Sequence, residues 1–158
     1  MSKAFRYARS TVIAAPAEAI LPEIADLKRH ELWSPFARPD GKTVGAYGGA
    51  PGEGQSYSFS GGRSGQGRIR VDAVRPGRVV MTLAMLKPVK ATNTVEFILE
   101  PRRDGVEVTW AMTGPQTLLG RLLGLFIDCE TMCGAQFERG LADLKTLAET
   151  GRATALAA

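Results

Sequence analysis

The stretch Asn93-Thr94-Val95-Glu96-Phe97-Ile98-Leu99-Glu100, a turn over Pro101 to Gly105, and Val106-Glu107-Val108-Thr109-Trp110-Ala111-Met112-Thr113 together decide the fold. Val95, Phe97 and Leu99, then Val106, Val108, Trp110 and Met112, alternate with more polar residues. Successive side chains of a strand point to opposite faces, so this is a hairpin with one apolar face. Gly114-Pro115 breaks the second strand, and a run from about Thr117 to Glu149 follows with helical periodicity. That helix has an apolar stripe of its own, and the nearest apolar surface is the sheet before it. A long helix laid across a curved sheet leaves a cavity where the two diverge, and such cavities hold ligands.

Working back from the hairpin, Val79 to Leu86 and Arg68 to Val74 read as two further strands turned at Pro76-Gly77. Gly41 to Gly67 carries ten of the eighteen glycines, with strand-like pieces at Lys42-Thr43-Val44 and Gln55 to Ser60 between them. Alternating aromatics persist there, so the glycines mark turns and bulges and not a linker. Phe5, Tyr7, Arg9, Thr11 and Ile13 form one side of a first strand. Ala14-Ala15-Pro16-Ala17-Glu18 opens a helix whose buried side is Ile20, Ile24 and Leu27. Residues 28–39 are irregular, with Trp33, Pro35 and Phe36 in a turn or second short helix. The expected class is α+β: an antiparallel sheet of six to seven strands, short helices after the first strand, and one long C-terminal helix. Residues 1–149 are expected to form a single domain, and 150–158 a flexible tail.

Composition narrows function only by exclusion. The 158 residues are 44% hydrophobic and 23% charged, and the net charge of +4 is spread along the chain. Arg and Lys do not cluster with aromatics, which argues against nucleic acid. The first residues contain no long apolar run, so neither a signal peptide, a membrane span nor integral membrane contact is expected, and the default compartment is the cytoplasm. Cys129 and Cys133 share a helix face, but with His30 as the single histidine they lack the partners of a metal site. No metal or cofactor is expected, and no Ser-His-Asp or Cys-His set can be assembled around His30. Its neighbours Lys28, Arg29 and Glu31 are charged, so His30 is expected at the surface.

The order of these segments carries a resemblance. Ile13 to Glu18, Ile24-Ala25-Asp26-Leu27, Trp33-Ser34-Pro35-Phe36, Gly54 to Tyr57, Lys87-Pro88, Thr92 to Phe97, Val108 to Pro115 and Phe137 to Leu141 together resemble the START-like, or SRPBCC, superfamily in its polyketide cyclase/dehydrase branch. The resemblance covers about Ala4 to Glu149. It implies a helix-grip fold, in which an antiparallel sheet wraps the C-terminal helix around a deep apolar cavity. It implies no catalytic motif, because members of the superfamily differ in chemistry.

Steps of three and four along the last helix give Leu119, Leu123, Phe126, Glu130, Cys133, Phe137, Leu141, Leu144 and Ala148. Glu130 interrupts this stripe, either as a polar anchor or acid/base group at the cavity wall or as an edge residue paired with solvent or arginine. Trp110, Met112, Met81, Leu83, Met85, Phe59, Tyr57 and Phe97 are candidate lining residues, with Asn93 and Thr92 as polar contacts. Trp33 and Phe36 are expected to cover a mouth of the cavity. Gly120, Gly124 and Gly140 are read as close-packing positions in the helix. Gly134 is either the same or a site that opens room for ligand or a bend.

Three functions follow in order. The first is a carrier or sensor of a small hydrophobic molecule (lipid, aromatic or polyketide-like). The second is a cyclase or dehydratase moving a proton with Glu130 or Tyr57. The third is a partner-binding module, marked by an apolar patch outside the cavity. An exposed sheet edge or the glycine-rich segment also offers a route to a homodimer.

Overall fold

The computed structural model describes residues 4–62, 65–87, 90–115 and 129–152, with the side chains of the last stretch from 131 onward. These residues form a seven-stranded antiparallel sheet with two short helical segments after the first strand and a long helix at the end. The strands are β1 (Ala4–Ile13), β2 (Val44–Gly48), β3 (Ser56–Gly62), β4 (Gly65–Arg75), β5 (Arg78–Lys87), β6 (Ala91–Arg102) and β7 (Gly105–Pro115). Helix α1 spans Ala17–Ala25, a 3-10 segment spans Leu27–Leu32, and helix α2 spans Cys129–Thr150. The sheet order is β1-β7-β6-β5-β4-β3-β2, so the chain meanders from β2 to β7 and the first strand closes against the last. This is the helix-grip arrangement.

Local chemistry explains the pieces. The β6–β7 hairpin pairs Val95 with Met112, Phe97 with Trp110 and Leu99 with Val108, which puts its large apolar residues side by side on one face. A register shift between Phe59 and Gly62 bends β3, and Gly61 supplies the positive φ of 85° that the bulge requires. The second strand begins at Val44, so Lys42 and Thr43 lie in the preceding loop, held by Asp40 Oδ1, which accepts from both backbone N–H groups. That Asx-type turn competes with strand pairing and displaces the expected strand toward Gly48. Helix α2 stops at Gly151, whose φ of 72° lets its N–H reach the Leu147 carbonyl at 2.8 Å.

One core joins these layers. Ile13, Ile20, Ile24 and Leu27 from the first elements meet Val71, Val79, Met81, Phe97 and Val108 from the sheet and Phe137, Leu141, Leu144 and Leu147 from α2. Gln55, fully buried, ties the helical segments to the sheet: its Oε1 accepts from Leu27 N–H at 2.6 Å and its Nε2 donates to Asp26 Oδ1 at 3.1 Å. Arg38 donates to Asp143 at 2.9 Å and to the Leu32 carbonyl at 3.1 Å, fastening the loop after the 3-10 segment to α2. His30 is buried within this core, contrary to its charged sequence neighbours. The tight turn directs Lys28 and Arg29 outward and the imidazole inward, where its Nε2–H donates to the Ile24 carbonyl at 2.7 Å.

Candidate functional site

The face of the sheet turned toward α2 divides into two halves. In the first, Arg9, Trp110, Phe97 and Val79 lie in one row across four strands. The Trp110 ring stacks on Phe137 of α2 with centroids 4.3 Å apart and planes at 10°. Trp33 stands edge-on to Phe97 and Trp110 at 5.8 and 5.6 Å, and His30 lies against Trp33 at 4.5 Å. Gly140 lets α2 approach, since a Cβ there would lie 2.7 Å from Trp110 Cζ3 and 3.0 Å from Pro35 Cδ. Trp33 is wholly enclosed, so it belongs to the packed core and not to a rim. Met81, Phe97 and Phe137 are likewise buried, and Trp110 is 5% exposed.

The second half lies toward the starts of β1 and β6 and the end of β7. Beyond a boundary row of Tyr7, Met112, Val95, Met81 and Val71, the last three of them buried, its rows run Asn93, Leu83, Ile69, Tyr57, Tyr47; then Ala91, Met85, Gly67, Phe59, Gly45. Tyr7, Met112, Leu83, Met85, Ile69, Tyr57 and Phe59 are all half-buried, in contrast to the sealed first half. Aromatic rings lie flat along the outer strands: Tyr57 stacks on Tyr47 at 4.4 Å and Phe59 follows at 5.9 Å. Glycines make room beneath them. A Cβ on Gly45 would overlap the Tyr57 ring, and one on Gly67 would crowd Phe59 at 3.1 Å and the Met85 sulfur at 3.0 Å.

A recess of about 100 Å³ opens between this strip and the loop after the 3-10 segment, bringing together Phe36, Tyr57 and Phe59 with Glu31, Arg38 and Thr43. Phe36 is 44% exposed at its edge, with its ring set against Trp110 and Phe137. Tyr47 donates to Glu31 Oε2 at 3.0 Å, and burial together with that bond pushes its hydroxyl far above the usual tyrosine range. Burial, then the negative charges of Glu31 and Asp40, also push Tyr57 up. Both phenols therefore stay protonated at neutral pH and act as hydrogen-bond donors, not as bases. His30 is held neutral, its pKa lowered to about 4 by burial.

On the helix, Cys133 is half-buried, and Phe137, Leu141 and Leu144 are buried as the stripe requires, with Leu147 added. Gly134 opens no void for a ligand: the Arg9 guanidinium fills the place of its missing side chain and pairs with Glu138 at 3.0 Å. Phe126, Gly120 and Gly124, and the side chains of Glu130 and Cys129, lie outside the described residues. Asn93 is 8% exposed on the inner face, whereas Thr92 faces outward and is exposed. Sequence reasoning passed over Arg9 and Gln55, although Arg9 stood on the apolar side of the first strand's alternation. Among the described residues no cluster of His, Cys, Asp or Glu has the makings of a metal site, and no helix is long and apolar enough to cross a membrane.

Known proteins place this architecture. No curated protein matches the sequence. Among solved structures, a Staphylococcus aureus protein of unknown function, SA2116, superposes with a TM-score of 0.69 at 14% identity, over 95% of this chain and 96% of that one. The Aha1 dimer from Colwellia psychrerythraea gives 0.65 at 17% identity, over 93% and 98%. The di-domain ARO/CYC StfQ from the steffimycin biosynthetic pathway gives 0.65 at 10% identity, over 94% of this chain and 51% of that one. At these identities the likeness concerns the fold. The family model described as "Polyketide cyclase / dehydrase and lipid transport" matches residues 4–149, so the chain belongs to that family, the SRPBCC polyketide cyclase branch.

Proposed function

We propose that the protein binds a small hydrophobic molecule, of lipid, aromatic or polyketide-like character, over the second half of the inner sheet face, as a carrier or sensor. One observation carries this reading. Side chains as apolar as Met112, Leu83, Met85, Ile69 and Phe59 stay half-buried on the same face whose other half is sealed to near zero exposure. Apolar surface left accessible on such a face is an unmet hydrophobic contact of about 25 cal/mol per Å². The family's description joins cyclases with lipid transport, which fits a shared apolar receptacle. Tyr57 and Phe36 lie on its recess side, and Phe126, Glu130 and Cys133 are the candidates contributed by α2 and the segment before it.

A cyclase or dehydratase role is the second reading. Tyr57 supports it, because a phenol held protonated at the edge of a recess can polarise a carbonyl of a bound substrate. A homodimer through strand edges is compatible with Val44, 73% exposed on the edge strand β2.

Native mass spectrometry of the purified protein tests the binding reading. A co-purifying small molecule, lost on denaturation, is the expected result. A protein that carries none, and that also fails to take up added fatty acids or naphthalene derivatives, would rule it out.

A further inference from the structure

Resting on that reading of the half-open face, we infer that the molecule it takes is not a pure hydrocarbon but carries a neutral hydroxyl, and that this hydroxyl donates to the side-chain carbonyl of Asn93. The amide of Asn93 is enclosed, at 8% exposure, in a row otherwise made of Leu83, Ile69 and aromatic rings. Its Nδ2 approaches the Met112 sulfur at 3.9 Å. A thioether only accepts, which fixes the amide with its NH2 toward the sulfur and its oxygen turned away. That oxygen, Oδ1, is buried and has no hydrogen-bond partner. It lies over Gly114, where a Cβ would overlap it and would meet Phe5 Cε1 at 3.1 Å.

Met112, the amide's sulfur neighbour, Leu83, the cross-strand partner of Asn93, and Phe5 beside Gly114 offer no donor. Buried acceptors in folded proteins are paired, so a lone one on a ligand-binding face marks where a partner arrives from outside. The chemistry of that partner follows from the oxygen. Carboxylates, ketones and ethers present lone pairs to lone pairs and are disfavoured. A hydroxyl satisfies the carbonyl at no cost in charge. Within the lipid, aromatic or polyketide-like range already proposed, the neutral donor at hand is a hydroxyl, so the class is a hydroxylated aromatic or alicyclic molecule whose remaining surface covers Met112, Leu83 and Phe5. The absence of a side chain on Gly114 is part of the device, because it gives the amide its seat on the sheet.

Calorimetric titration with 2-naphthol and 2-methylnaphthalene tests this, since the two probes differ by a hydroxyl against a methyl of nearly the same size. The wild type is expected to bind 2-naphthol at least about tenfold more tightly, because a site with a buried polar group rejects the analogue that leaves it unpaired. In Asn93→Leu the preference should vanish or invert, with 2-methylnaphthalene still bound. Gly114→Ala, which forces the amide off its seat, should also shrink the ratio and serves if Asn93→Leu does not fold. Equal affinity of the wild type for both probes would overturn the hydroxyl inference and leave the hydrophobic site standing. Binding of neither probe would overturn both.

Discussion

At the scale of single residues, His30 is the group whose titration folding shifts inside the pH range that denaturation experiments sample. Enclosed by Trp33 and Phe97 and bonded to a backbone carbonyl, it has lost the water that would stabilise its cation. Its folded pKa of about 4 lies below the ordinary 6.5, so the unfolded chain takes up the proton first. Stability that depends on neutral His30 is complete above about pH 6.5 and is lost as the pH falls toward 4, by roughly 3 kcal/mol at the limit. Urea midpoints measured between pH 7 and 4 should therefore fall more steeply for the wild type than for His30→Leu. Parallel curves would show that the imidazole is not held neutral. The burial of this residue was illegible because charged neighbours in sequence describe a turn's outer side, and His30 turns inward one turn after Leu27 only because of what stands behind them. The same limit hid Gln55, whose two hydrogen bonds run to residues of another element.

The elements themselves were more legible. Alternation along β5, β6 and β7 is a local property that names the buried face directly, and the stripe through Phe137, Leu141 and Leu144 does the same for α2. What spacing could not show is which neighbour fills each gap on that stripe. Gly134 and Gly140 look alike in sequence, yet one faces a flexible guanidinium and the other a rigid indole. Alanine gains about 1 kcal/mol over glycine in a helix interior. At Gly134 the Arg9 side chain can swing aside, giving up an ion pair worth little because Glu138 is 65% exposed. At Gly140 the new methyl drives into Trp110 and Pro35, and overpacking of a filled core costs typically 1–3 kcal/mol. Thermal denaturation should show Gly134→Ala equal to or above wild type and Gly140→Ala below it by up to about 2 kcal/mol. The reverse order would mean that α2 seats differently on the sheet.

For the molecule as a whole, the division of the inner face into a sealed and a half-open part predicts how stability responds to occupancy. A ligand that binds only the folded state adds about 2.7 kcal/mol at a hundredfold excess over its dissociation constant. In a chain of this length that corresponds to a rise in Tm of roughly 5–10 °C. Differential scanning fluorimetry against hydroxylated and plain naphthalenes reads this directly, and no shift with either would argue against a site on this face. How the two halves are distributed was only partly written in the sequence. Residues such as Met81 and Met85 share one strand, one periodicity and one side chain, but one is sealed and the other half-open because the elements opposite them differ.

The aromatic stack has an optical consequence. The chain contains two tryptophans, and both belong to the sealed half with their ring centroids 5.6 Å apart. Their emission therefore reports a single dry environment that exists only while the sheet, the 3-10 segment and α2 are docked together. At that separation the two indole transitions also couple, so the ultraviolet circular dichroism of the folded protein should carry a paired positive and negative band. Trp33→Phe should abolish the pair and leave a single emitter, Trp110, stacked on Phe137 of α2. The molecule thus holds a built-in gauge of helix seating: a ligand that lifts α2 red-shifts the signal, and one that settles beneath it leaves the colour unchanged.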